Sequence, residues 1–256
     1  MISYHDFKTI FQNRKTDNRT IKELISELSI ETLSYCNIDT INDILNVILS
    51  AEDKTTADID ALYSKFNNVK EQELDITRHI ICNNKKHGFN LSTDQIMYIL
   101  EKSDLTSQSN YGATLPMHVL FNNKDQNLNL STNQIMNTIK KTNLSAQDVE
   151  SWNLLMYALK YNKEQNLNLS STHIMNILEE TDLSILDNKI ITMFFSKAQE
   201  FFNLTEKQLY KAAKAFNTKI KTIDPENQEK INHILLHHKI NQKIQKTHTP
   251  KKLIKV

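Results

Sequence analysis

Leu91-Ser-Thr-Asp-Gln-Ile-Met97, Leu130-Ser-Thr-Asn-Gln-Ile-Met136 and Leu169-Ser-Ser-Thr-His-Ile-Met175 follow one another at a spacing of 39 residues. A fixed period of this size marks a stacked repeat, in which one supersecondary unit recurs and buries its apolar face against the next. The match runs past the motif itself. Ser103-Asp-Leu-Thr, Thr142-Asn-Leu-Ser and Thr181-Asp-Leu-Ser stand downstream, and Leu115-Pro-Met-His-Val-Leu-Phe-Asn-Asn-Lys124 aligns with Leu154-Leu-Met-Tyr-Ala-Leu-Lys-Tyr-Asn-Lys163. Stepping 39 places outward puts Ile76 to Asn84 and Met193 to Lys197 in the same register with eroded identity, which reads as terminal units. A fourth motif, Leu204-Thr-Glu-Lys-Gln-Leu209, comes 35 residues after Leu169, so the period shortens at that end.

Each motif opens a helix. Ser92, Ser131 and Thr205 are followed three residues later by Gln95, Gln134 and Gln208, the capping-box pattern that satisfies two orphan N–H groups reciprocally. His173 breaks that pattern in the third copy. Leucines 91, 130, 169 and 204 just before the cap, with Ile96, Ile135, Ile174 and Leu209 at the fourth helical position, form the hydrophobic staple. A cap contributes ~1 kcal/mol, enough to fix where each helix begins. Ile96-Met97 with Ile99-Leu100, and Ile174-Met175 with Ile177-Leu178, then give an amphipathic helix of about three turns. The other helix of each unit, Leu115 to Phe121 and Leu154 to Tyr161, is apolar over most of its circumference and belongs between neighbours. Two short helices cannot bury that surface alone. The expected fold is therefore all-α, a helical-repeat solenoid of stacked helix-turn-helix units with helical caps at both ends.

Asp104-Leu-Thr-Ser-Gln-Ser-Asn-Tyr-Gly112-Ala-Thr114-Leu-Pro-Met-His-Val-Leu resembles the hairpin and first helix of an ankyrin repeat, with Gly112-x-Thr114 at the turn. Asn143-Leu-Ser-Ala-Gln-Asp148 ahead of Trp152-Asn-Leu-Leu-Met-Tyr-Ala-Leu, and Asp182-Leu-Ser-Ile-Leu-Asp187-Asn, look like the same feature. The resemblance covers about residues 74–218. Three departures stand out: the period is 39 instead of ~33, Ser151 replaces the hairpin glycine, and the Thr-Pro-Leu-His tetrad is rearranged or lost. The extra residues fall between the two helices, at Asn123-Lys-Asp-Gln-Asn-Leu-Asn129 and Lys163-Glu-Gln-Asn-Leu-Asn168. Extended, Asn-rich units of this kind resemble those of obligate intracellular bacteria. The resemblance implies a protein-interaction scaffold without catalysis or cofactor, with a bacterial effector as one use. It also implies that Ala113, His118, Trp152 and Tyr157 face outward on a concave side, and aromatic residues are enriched at binding hot spots. Trp152 and Tyr157 are the first candidates for partner binding, Tyr111 and His118 the next; the competing reading has the only Trp of the chain packed between repeats. The rival architecture is a TPR- or HEAT-like helix-hairpin array, which lacks the short extended tips that ankyrin-like units place at 106–113, 145–152 and 184–191.

Outside the repeats, residues 1–73 read as a helical N-terminal cap region, with helices around Tyr4–Gln12, Thr20–Leu28, Thr40–Leu49 and Asp58–Phe66 and with Asp39 and Asp58 as caps. Lys70-Glu-Gln-Glu-Leu-Asp-Ile-Thr77 echoes Lys163-Glu-Gln-Asn-Leu-Asn-Leu-Ser170 out of the 39-residue register, which leaves open whether a degenerate repeat starts there. Residues 219–256 form a final helix, Glu226 to Lys246, and a basic tail broken by Pro250, with nine lysines against three acids. Lys243, Lys246, Lys251, Lys252 and Lys255 are the candidate anion contacts. A tail of this kind supports the alternative reading, a nucleic-acid or anionic-membrane binder. No aromatic accompanies the lysines, which argues against base stacking.

Composition excludes several classes. The 256 residues are 39% hydrophobic and carry a net charge of +1, so no global field points to a polyanion. Two glycines and three prolines rule out a Walker loop, a three-glycine dinucleotide fingerprint and turn-dense all-β folds. Turns must rely on Asn, Asp and Ser; the 29 asparagines also fit an A/T-rich genome. Cys36 and Cys82 form no framework, which points to a reducing compartment. The start lacks the apolar run of a cleaved signal, so the expected location is the cytoplasm, or a host cell reached by an export route that reads a tail. His233, His237 and His238 share a helical face, but no acid or Cys nearby in sequence completes a metal set, and no catalytic triad is readable.

Overall fold

The computed structural model describes residues 4–29, 33, 36, 38–66, 75–186, 188–220 and 222–247, without the side chains of 4, 38, 198–201 and 243–247. Among these residues all regular structure is helical. The chain divides into two compact units, Met1–Ser109 with Thr114–Thr142, and Asn110–Ala113 with Asn143–Val256.

The first unit contains α1 (Tyr4–Asn13), α2 (Ile21–Glu27), α3 (Ile38–Leu49), α4 (Thr56–Phe66), α5 (Ile76–Asn83), α6 (Thr93–Lys102), α7 (Leu115–Asn122) and α8 (Thr132–Ile139). The second contains α9 (Leu154–Glu164), α10 (Ser171–Glu180), a 3₁₀ turn (Leu183–Ile185), α11 (Asn188–Phe201), α12 (Glu206–Lys219) and α13 (Pro225–Thr247). Helices come in pairs, and like packs on like. In the first unit α1 lies against α3, α5 against α7, α2 against α4 and α4 against α6; in the second α9 lies against α11, α11 against α13 and α10 against α12. The first helix of each pair is thus covered by its counterpart as well as by its own partner. Leu115, Met117, Val119 and Leu120 of α7, and Leu154, Leu155, Met156 and Leu159 of α9, are accordingly all buried. Phe194 and Phe195 of α11 meet Phe216 of α12 edge-on, with ring centroids 5.3 and 5.7 Å apart.

The helix starts follow the capping chemistry. Gln95, Gln134 and Gln208 each accept the N–H of their cap residue at 2.9 Å, while the cap hydroxyl accepts the glutamine N–H. The expected break at His173 does not occur: its Nδ1 accepts the Ser170 N–H at 3.2 Å, and an imidazole does the work of the amide. Two expected caps are corrected. Asp58 sits at the third helical position and accepts from the N–H and hydroxyl of Thr55, which is the true cap, and Asp39 lies inside the first turn of α3. Thr114 precedes α7, but its hydroxyl is buried without a partner.

The extra residues between paired helices form one ordered loop, built three times. Asn84, Asn123 and Asn162 each accept, through Oδ1, the N–H of the leucine seven residues on, at 2.9, 2.9 and 2.7 Å. Between them run two left-handed residues flanking a buried apolar one: Gly88-Phe89-Asn90, Asn127-Leu128-Asn129 and Asn166-Leu167-Asn168, with φ from 49° to 70°. In each the second left-handed residue, an asparagine, donates its amide to the carbonyl of the first, at 3.1–3.2 Å. Asparagine tolerates this conformation better than any other residue with a side chain of its size, because the amide bonds locally. Seven of the eight non-glycine residues with positive φ among those described are asparagine.

Connections between pairs carry isolated antiparallel bridges, Gln108 with Thr114 and Gln147 with Asn153, again 39 residues apart. The third expected tip starts instead as the 3₁₀ turn Leu183–Ile185; Asp187 lies outside the described residues. Neighbouring connections are tied by Thr142 Oγ1 to the Leu105 carbonyl (2.7 Å) in the first unit, and by the Val149 N–H to the Tyr111 carbonyl (2.8 Å) and the Asp182 N–H to Ser145 Oγ (2.9 Å) in the second.

Candidate functional site

Asp148 organises the tip ahead of α9. Its Oδ1 accepts the N–H groups of Glu150 and Trp152 at 2.9 Å each, and Oδ2 accepts the Tyr157 hydroxyl at 2.8 Å. The tip and the second turn of α9 are therefore locked to one another. Trp152 and Tyr157, both half-buried, meet edge-on with centroids 5.8 Å apart, and Tyr161, one helical turn further, continues the row at 5.7 Å from Tyr157. Lys160 Nζ lies 4.6 Å from the Trp152 centroid and 4.9 Å from that of Tyr161; Lys189 Nζ, from α11, lies 4.8 Å from Trp152. Such cation–π contacts contribute ~0.5–1 kcal/mol each at exposed sites. Burial, then the bond to Asp148, pushes the Tyr157 phenol well above its ordinary pKa. The indole Nε1 is buried with no acceptor.

Tyr111 and Val149 stand side by side at adjoining tips of this unit, 73% and 69% exposed. Of the four residues picked from sequence, Tyr111, Trp152 and Tyr157 thus belong to one unit. His118 belongs to the other, on α7, where its Nδ1 faces Cys82 Sγ at 3.5 Å and its Nε2 is buried without a partner. Burial first, with the nearby Arg78 adding to it, depresses the His118 pKa to about 4. Ala113, expected to face outward, is buried at 5% exposure; it lies beside Gly112, which is pressed against the backbone of Gln147 and Asp148.

Sequence reasoning missed Val149, Lys160, Tyr161 and Lys189. Lys160 and Tyr161 were accessible as the i+3 and i+4 neighbours of Tyr157 on a helix. Nothing local announces Lys189, which arrives from the next helix pair.

At the chain end, Lys243 and Lys246 fall in the last turns of α13, but their side chains, and the whole of Lys251, Lys252 and Lys255, lie outside the described residues. On the same helix His238 stacks on Tyr210 with centroids 4.0 Å apart, and Glu206 of α12 reaches it at 3.2 Å. That acid was invisible in sequence, yet no group of three or more His, Cys, Asp or Glu among the described residues is arranged to hold a metal. No helix among the described residues is long and apolar enough to cross a membrane. The chain matches no family model, no curated protein and no solved structure.

Proposed function

We propose that this chain is a protein-interaction module built of ankyrin-like helix pairs, and that it engages its partner through the Trp152–Tyr157–Tyr161 face of the second unit. The observation that carries the reading is a half-buried aromatic row whose Trp152 and Tyr157 are fixed in place by Asp148. Rigid aromatic side chains offer large contact area at low entropic cost, which is why they dominate hot spots. The 39-residue period and the bridges at Gln108–Thr114 and Gln147–Asn153 support the ankyrin-like reading of the pairs, and the asparagine loop accounts for the longer unit. The thiols of Cys36 and Cys82 fit work in a reducing compartment, the cytoplasm of the producing cell or of a host.

The test is capture of partners from nuclease-treated lysate with the full chain, a Trp152→Ala/Tyr157→Ala variant and a chain truncated before Lys239. A discrete protein retained by the truncated chain and lost with the aromatic variant, at unchanged far-UV circular dichroism, supports the aromatic face. Loss with the truncation, or recovery only when nuclease is omitted, moves the function to the basic end.

A further inference from the structure

The aromatic face has a chemical preference built into it, and this inference rests on the function proposed above. We propose that it binds an extended acidic peptide segment, in which two carboxylates on the same face of the strand are gripped by Lys160 and Lys189 across the Trp152 ring. Both ammonium groups lie within 5 Å of one indole centroid, so they are less than 10 Å from each other. In an extended peptide, side chains two residues apart share a face and stand roughly 6.6–6.8 Å apart, inside the bound that the two ring distances set.

The lysines are held in place before any ligand arrives. The ring quadrupole attracts both, Lys160 is shared with Tyr161, and Lys189 Nζ donates to the Glu150 carbonyl at 3.4 Å. Preorganised cations lose less entropy on binding than mobile ones. The Trp152 and Tyr157 rings supply apolar surface beside the charges, so a peptide backbone and its methylenes have a place to rest. A nucleic-acid strand fits less well: it presents a continuous track of phosphates, whereas this face offers one pair of lysines.

Trp152 is the only tryptophan of the chain, so its emission reads the site directly. The experiment titrates the full chain with a peptide of alternating Glu and Ser, its Gln-for-Glu counterpart and a decamer of deoxythymidine, at low and moderate salt. The expected result is a saturable emission change with the Glu peptide alone, weakened at least about fivefold in Lys160→Gln/Lys189→Gln and weakened by salt. That variant keeps both the reporter and the aromatic row; a Lys160→Arg/Lys189→Arg variant, which keeps the charges, should restore most of the affinity. An equal response to the Gln peptide, or no saturable change, overturns the acidic preference. Tighter binding of the oligonucleotide, competed by the Glu peptide, assigns the lysines to phosphate instead. If the Glu peptide fails while lysate capture still depends on Trp152 and Tyr157, this inference falls and the interaction module stands; if both fail, both fall.

Discussion

Ser151 holds φ 62° at the position where the preceding 39-residue repeat has Gly112 at φ 75°. The two sites share a conformation but differ in surroundings. A Cβ on Gly112 would lie 2.6 Å from the Gln147 carbonyl oxygen and 3.0 Å from Asp148 Cα, both backbone atoms that cannot step aside, so Gly112 is required twice over. Gly88, at φ 70°, meets nothing within 4 Å, and its two counterparts are Asn127 and Asn166. Gly88→Asn should therefore leave the melting temperature within about 1–2 °C of wild type. Gly112→Asn should lower it by several degrees, and Ser151→Gly should raise it by about 1–3 °C by relieving a left-handed side-chain residue; thermal melts of the three variants decide. Tyr157→Phe removes the hydroxyl that Asp148 Oδ2 accepts. A hydrogen bond to a charged group contributes about 1.5–3 kcal/mol when buried and less at this half-buried position, so a fall of a few degrees is expected. The glycine substitution at residue 151 was plain from the aligned repeats, but its retained backbone conformation was not, since serine alone predicts no left-handed turn.

At the scale of elements, the caps were legible because they depend on residue types at fixed short offsets, and Ser92 with Gln95 needs no tertiary partner. His173 was misread for a related reason: the pattern names amides and acids, whereas the requirement is an acceptor at the right reach, which imidazole Nδ1 also meets. The asparagine loop was harder. Each of its asparagines taken singly is compatible with base composition, and only the recurring Oδ1 bonds to Leu91, Leu130 and Leu169 reveal why the type is needed. Asn123 is 3% exposed, and its loss strands the buried Leu130 N–H. An unpaired buried donor costs about 1–3 kcal/mol. Asn123→Ala should lower the stability read from urea unfolding by that amount, while Asn123→Asp, which keeps the acceptor, should recover part of it. Equal losses in both variants would mean that the amide donor, not Oδ1, holds the loop.

Across the whole molecule, helical class followed from periodicity and capping, and the repeat register put forward Trp152 and Tyr157, whose rings the structure sets edge to edge. Lys160 was within reach as the i+3 neighbour of Tyr157, whereas Lys189 came only from stacking of one pair on the next. Stacking also explains the pH response expected of the chain. His79 and His118 occupy the same position in successive pairs, 39 residues apart. His79 faces Asn46 Oδ1 at 3.1 Å, with His87 and Phe89 around it, and His118 faces Cys82, Arg78 and Asp75. Burial first, then His87 for one ring and Arg78 for the other, holds both pKa values at about 4. In the unfolded chain each titrates near 6.5. Above that value both states are neutral and the full stability is present. Below it the unfolded state takes up protons that the folded state refuses, so stability falls as pH drops from about 6.5 to about 4 and levels off once the folded rings protonate too. Because both rings keep some solvent access, the loss is about 1–2 kcal/mol per histidine, short of the full linkage value. Urea unfolding followed by far-UV circular dichroism at pH 7 and pH 4.5 measures it. His79→Gln/His118→Gln should lose clearly less stability than wild type between the two pH values, and an equal loss would assign the acid sensitivity to carboxylates instead.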